Sequence, residues 1–134
     1  MTHSYKLLVV KCLNCGLHQI PLKQQPKNIN ELYSDVVDNE YLKNIKVKEN
    51  TFKYALKQIL PYIPNKAKLK LLEIGSYCGV FLNQTKKYDW DVKGVEPSKW
   101  AAEYSEKHYK LNIINNSFEG LLKKLNNDND IIVS

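Results

Sequence analysis

Leu71-Leu72-Glu73-Ile74-Gly75-Ser76-Tyr77-Cys78-Gly79-Val80-Phe81-Leu82 decides how the rest of the chain is read. An apolar run ends in an acid, two glycines bracket three residues, and a second apolar run follows. The first run is too short for a helix of its own and suits a strand buried on both faces. The glycines permit a sharp turn and a close backbone approach to a ligand. The second run, Val80 to Tyr88, reads as a helix starting directly after the turn. A strand, a tight turn and a helix form the first half of a βαβ unit.

The same alternation continues toward the C-terminus. Trp90 to Val95 is a second strand, and Ser98 caps a helix to about Lys110, with Trp100, Ala101, Tyr104 and His108 on its inner stripe. Asn112 to Asn115 is a third strand. Ser117 caps a helix in which Phe118, Leu121, Leu122 and Leu125 repeat at helical spacing, and Asp130 to Ser134 opens a fourth strand. Strands alternating with helices predict an α/β fold: a three-layer, Rossmann-like parallel sheet of about four strands.

Upstream the pattern is different. Tyr5 to Ile20 reads as a strand, a tight knuckle at Cys12-Leu13-Asn14-Cys15-Gly16, and another strand. Pro21 and Pro26 mark a connector, and Asn30 to Lys48 is polar and Tyr-bearing, helical in parts. Asn50-Thr51 suits the cap of a helix carrying Phe52, Ala55, Leu56, Ile59 and Leu60, ended by Pro61 and Pro64. The divisions expected are 1–29, a zinc-knuckle-like segment; 30–66, a helical lead-in; and 67–134, the Rossmann-like part.

Composition narrows the function. With 134 residues and 43% hydrophobic content the chain can build one real core. The apolar runs are too short for a membrane span or a secretory signal. Three cysteines make no disulfide scaffold, so a reducing cytoplasm is expected. The net charge of +6 is carried by 20 Lys with no Arg. Without the side chain that forks onto phosphate and reads guanine, a nucleic-acid partner is not expected. The charge is also uneven: residues 1–70 hold 12 Lys and 5 acids, residues 71–134 hold 8 Lys and 9 acids.

In such sheets the ligand sits beyond the strand C-termini, beside the first strand. A dinucleotide fingerprint needs glycine where Tyr77 and Val80 stand, and Glu73 is a poor neighbour for phosphate. No Gly-Lys-Ser/Thr follows, which excludes a P-loop. Glu96, 17 residues beyond Gly79, stands near the offset at which a carboxylate grips ribose hydroxyls. Two acids without a phosphate donor suit a positively charged adenosine ligand, and S-adenosylmethionine fits that description. Cys78 reads as a small turn residue, since no His-Asp pairing accompanies it.

These residues resemble the class I, Rossmann-like S-adenosylmethionine-dependent methyltransferases. Leu72 to Gly79 looks like their first motif, with Tyr77 where the middle glycine usually stands, and Gly94-Val95-Glu96-Pro97-Ser98 is similar to their acidic second motif. Asn116-Ser117-Phe118-Glu119 resembles the segment flanking the adenine, and Asp130-Ile131-Ile132-Val133 the start of the fourth motif. The resemblance implies a cofactor-binding set of Glu73, Gly75, Ser76, Tyr77, Gly79, Glu96, Pro97, Ser117 and Phe118. It implies a methyl transfer to a small-molecule acceptor, with no catalytic residue assigned. Tyr5, Tyr33 and Tyr41 are packing residues or parts of a lid or substrate wall.

Some methyltransferases of this class carry a four-Cys ribbon ahead of the catalytic domain, and Val10 to Leu17 resembles its second knuckle. Cys12 and Cys15 would give zinc two of its four ligands, with His3 and His18 able to complete it on spacing alone. The alternative is a reduced or vestigial dithiol. Because the family's sheet normally has seven strands, the sequence reads as the N-terminal part of a longer protein, with self-association possible through the open sheet edge. The competing reading is a non-catalytic relative that binds the cofactor weakly or serves as an interaction surface. A nicotinamide-binding half-domain is disfavoured by Tyr77 and Val80.

Overall fold

The computed structural model describes residues 8–24, 33, 36–64, 68–121 and 128–134. The N-terminal part holds β1 (Val10–Lys11) and β2 (His18–Gln19), paired antiparallel, then α1 (Asn39–Lys43) and α2 (Ile45–Ile59). The remainder alternates as expected: β3 (Lys70–Ile74), α3 (Val80–Thr85), β4 (Asp91–Val95), α4 (Lys99–Tyr109), β5 (Asn112–Ile114), α5 (Phe118–Leu121) and β6 (Ile131–Val133). A short 3-10 turn, Lys86–Tyr88, extends α3.

The main sheet has the order β5-β4-β3-β6, and all three pairings are parallel. The chain moves outward from β3 through β4 to β5, then returns to the other side of β3 for β6. The order therefore reverses at β3, and a crevice opens beyond its C-terminal end. Glu73, Gly75 and Ser76 stand at that crevice.

Burial explains why these strands form. Leu71 and Leu72 point to opposite faces, yet both are buried, as a central parallel strand requires. One face packs Leu71 with Leu56, Phe81, Leu82 and Leu111. The other packs Leu72 with Val95 and Leu121. Each fully buried leucine contributes about 1.5–3 kcal/mol. The lead-in helix α2 is thus part of the core, through Leu56.

Several expectations need correction. The lead-in helix begins at Ile45, not after Asn50-Thr51; Thr51 lies inside it and its hydroxyl donates to the Val47 carbonyl at 3.0 Å. A threonine that bonds back to the preceding turn can sit in a helix interior instead of capping. Ala55 of the expected stripe is exposed. In α4 the buried face is Ala101, Ala102 and Ser105, whereas Trp100 and Tyr104 lie half-buried at its flank and His108 is exposed. Tyr5, Leu122 and Leu125 lie outside the described residues.

Cys12 to Gly16 does form a tight turn between β1 and β2. The Gly16 N–H donates to the Cys12 carbonyl at 2.9 Å. Backbone N–H groups of Cys15 and Asn14 lower the Cys12 thiol pKa below its ordinary value. Zinc is nevertheless not supported, because no group of three or more His, Cys, Asp or Glu side chains is gathered among the described residues. His18 does not complete the knuckle, and His3 lies outside the described residues. Among the described residues a ribbon is not shown either; β1 and β2 are two residues each. Among the described residues no helix is long and apolar enough to cross a membrane.

Candidate functional site

The turn from Gly75 to Gly79 is built by backbone bonds to the end of β4. The Gly75 and Ser76 N–H groups both donate to the Val95 carbonyl, at 2.8 and 3.1 Å, and the Gly79 N–H donates to the Ser76 carbonyl at 2.8 Å. Three residues of the turn take positive φ: Gly75 at 73°, Tyr77 at 45° and Gly79 at 70°. At Gly79 the glycine is required twice over, since a Cβ there would fall 2.6 Å from Leu111 and 2.8 Å from the Ser105 hydroxyl. At Gly75 a Cβ would meet nothing within 4 Å. Gly75 thus borders open space, as a backbone approached by a ligand should.

Glu96 is 4% exposed and both its oxygens are engaged. Oε2 accepts the Tyr77 N–H and Oε1 the Ser98 N–H, each at 2.8 Å. The carboxylate therefore ties the β3 turn to the start of α4. Each oxygen retains a further lone-pair direction, so the group can still accept hydroxyl protons from a ligand. Pro97 follows at the bend, and Ser98 caps α4 by accepting the Ala101 N–H at 3.2 Å.

Glu73 is the other acid. Burial raises its carboxyl from 4.5 to about 8; the nearby Glu96 charge adds to the rise, and the Leu82 N–H in the first turn of α3 opposes it. Its Oε2 and the hydroxyl of Ser76 are buried without a hydrogen-bond partner. Buried polar atoms are rarely left so, because desolvation without a partner costs about 1–3 kcal/mol. The two orphans flank Gly75, one at the end of β3 and one in the turn that follows it. Cys78, by contrast, is fully buried, and burial pushes its thiol up to about 12, which removes it as a nucleophile.

Ser117 and Phe118 lie at the end of β5, where the Ser117 hydroxyl accepts the Gly120 N–H at 3.1 Å and caps α5. Phe118 is half-buried. Two supporting residues, Asn115 and Ser105, escaped the sequence reading, and Gly94 entered it only as part of the second motif. The Asn115 amide donates to the carbonyls of Glu96 and Pro97, at 2.9 and 3.0 Å, and holds the β4 exit beside β5. The Ser105 hydroxyl lies 3.1 Å from the Tyr77 carbonyl and 3.0 Å from that of Ala101. Gly94 makes room for Ser76, whose hydroxyl would lie 2.5 Å from any Cβ there. Local periodicity signals none of these, because the partners are distant in sequence.

No protein-family model and no curated protein matches this sequence. Solved structures do. A S-adenosylmethionine-dependent methyltransferase from Archaeoglobus fulgidus aligns over 66% of this chain with 23% identity and a TM-score of 0.50. Magnesium protoporphyrin IX methyltransferase from Synechocystis, with bound S-adenosylhomocysteine, aligns over 77% with 15% identity and a TM-score of 0.53; its complex with S-adenosylmethionine gives 0.52. The chain spans 39% of the first structure, and 49% and 51% of the other two. The α/β arrangement with its parallel four-stranded sheet is thus similar in fold to these S-adenosylmethionine-dependent methyltransferases, over about half of their length or less.

Proposed function

We propose that this chain is the cofactor-binding part of an S-adenosylmethionine-dependent methyltransferase with a small-molecule acceptor. The observation that carries the reading is the pair of orphaned buried atoms, Glu73 Oε2 and Ser76 Oγ, beside the open approach at Gly75. A buried acid whose charged form only a neighbouring cation would stabilise suits a ligand that brings its own positive charge. When bound, S-adenosylmethionine supplies an electrophilic methyl group on a sulfonium.

The residues fit that ligand in parts. Glu73 and Ser76 face its charged amino-acid end, Gly75 admits its backbone-hugging chain, and the Glu96 carboxylate accepts from its ribose hydroxyls. Pro97 and the Ser117-Phe118 segment border the adenine. Tyr77 and Gly79 shape the turn, and Cys78 anchors it in the core. Positioning of this kind is the main catalytic contribution an in-line displacement needs. No side chain here is assigned as a general base.

Calorimetric titration with S-adenosylhomocysteine tests the reading. Micromolar binding by the wild-type chain, weakened in Glu73→Gln at pH 7.5, is expected. A folded chain that takes up no S-adenosylhomocysteine at millimolar ligand refutes it.

A further inference from the structure

Tyr77 stands in a turn position that a bulky residue rarely adopts, with φ of 45°. Such a conformation persists only where its surroundings hold it. Here the backbone is fixed on both sides, the N–H by Glu96 Oε2 and the carbonyl by the Ser105 hydroxyl. The ring is fixed as well. It meets Tyr41 edge-on, with centroids 4.6 Å apart at 82°, and Trp100 at 6.1 Å and 60°.

Tyr41 belongs to α1, a helix of five residues with no fully buried side chain. A helix this short has no stability of its own and must be docked. Its N-terminus is capped by Asp38, whose Oδ1 accepts the Tyr41 N–H at 2.9 Å. The same carboxylate faces the Tyr77 hydroxyl. Tyr77 is therefore held by α1 at its ring, through Tyr41, and by the proposed cofactor acid Glu96 at its backbone.

We propose that Tyr77 is a positioning residue that links the turn after β3 to α1, so that each orders the other. The link needs only the residues above. Its consequence rests on the cofactor reading: a ligand that orders the turn through Glu96 also orders α1. Burial raises the pKa of both tyrosine hydroxyls, in keeping with their packing in one closed cluster.

Amide hydrogen exchange on the full chain tests this. In Tyr77→Gly, which relaxes the turn backbone, exchange at Tyr41, Leu42 and Asn44 should rise roughly three- to tenfold, the worth of an edge-on aromatic pair. The α4 amides should hold within about twofold, showing that the fold persists. Tyr41→Ala should raise exchange at Tyr77 by a similar factor, and Tyr77→Phe, which keeps the ring, should stay nearer the wild type. Unchanged α1 exchange in Tyr77→Gly, or unchanged Tyr77 exchange in Tyr41→Ala, overturns the link.

Adding S-adenosylhomocysteine to the wild type separates the two claims. Slower exchange at both Tyr77 and α1 supports both. Slower exchange at Tyr77 alone overturns the coupling and leaves the cofactor site standing. No slowing at either removes the cofactor reading, and the ligand-free variants then decide the link.

Discussion

The raised carboxyl of Glu73 turns the proposed site into a pH-dependent one. Its ordinary value is 4.5 and its folded value about 8, set first by burial and then by the Glu96 charge. Between those values the folded chain binds a proton that the unfolded chain has lost. The stability of the ligand-free protein should therefore fall as pH rises from about 4.5 to about 8 and level off above. At the full difference the penalty is on the order of 5 kcal/mol, an upper bound because a buried acid relaxes toward any water that reaches it.

A ligand ammonium beside Glu73 reverses the preference and favours the charged carboxylate. Binding below pH 8 then requires a proton to leave. Affinity for S-adenosylhomocysteine should rise by close to a factor of ten per pH step, about 30-fold or 2 kcal/mol between pH 5.5 and 7.0. Calorimetry in two buffers of different ionisation enthalpy should show nearly one proton released per ligand at pH 6.5. Glu73→Gln has no proton to lose, so its affinity should be flat across that range. A wild-type affinity equally flat, with no proton released, would refute the assignment of Glu73 to the ligand's charged end.

Other consequences follow from single atoms. Gly75→Ala should fold with a loss of about 1–2 kcal/mol in denaturant titration, the cost of a left-handed Cβ with no clash, yet lose most of its S-adenosylhomocysteine affinity, because the Cβ would project into the approach. Gly94→Ala should cost more in the same assay, about 1–3 kcal/mol, by driving a methyl against Ser76 and Ile113. Glu96→Gln should lower both stability and affinity, since its amide can accept from only one of the Tyr77 and Ser98 N–H groups; stability unchanged within about 0.5 kcal/mol would contradict the anchoring role. Leu82→Ala, at a fully buried position, should lower stability by about 2–5 kcal/mol.

The half of the chain that carries the sheet was legible because its signals are local. Apolar runs, the paired glycines and the Ser98 and Ser117 caps each act within a few residues. The N-terminal half was less so. Asn50-Thr51 looks like a helix cap, but Thr51 satisfies its hydroxyl within the helix, and the start moves back to Ile45. Two thiols in a tight turn resemble a zinc knuckle, yet a tetrahedral site depends on ligands that neighbouring sequence does not determine.

At the candidate site, sequence reading singled out the two acids and the turn but not what holds them. Ser105 and Asn115 reach carbonyls 28 and 18 to 19 residues away, contacts that only the folded sheet brings about. Tyr77 looked like a departure from a glycine pattern. Its role is visible only once Tyr41, from a separate helix, packs against it.

The central claim, that the turn from Glu73 to Gly79 is an S-adenosylmethionine-type site, is tested most directly by amide chemical shifts during titration with S-adenosylhomocysteine and, separately, NADH. S-adenosylhomocysteine should move the signals of Gly75 to Gly79 and of Glu96 and Ser98, while NADH leaves them in place. Shifts from NADH at those amides, or none from S-adenosylhomocysteine, would contradict it.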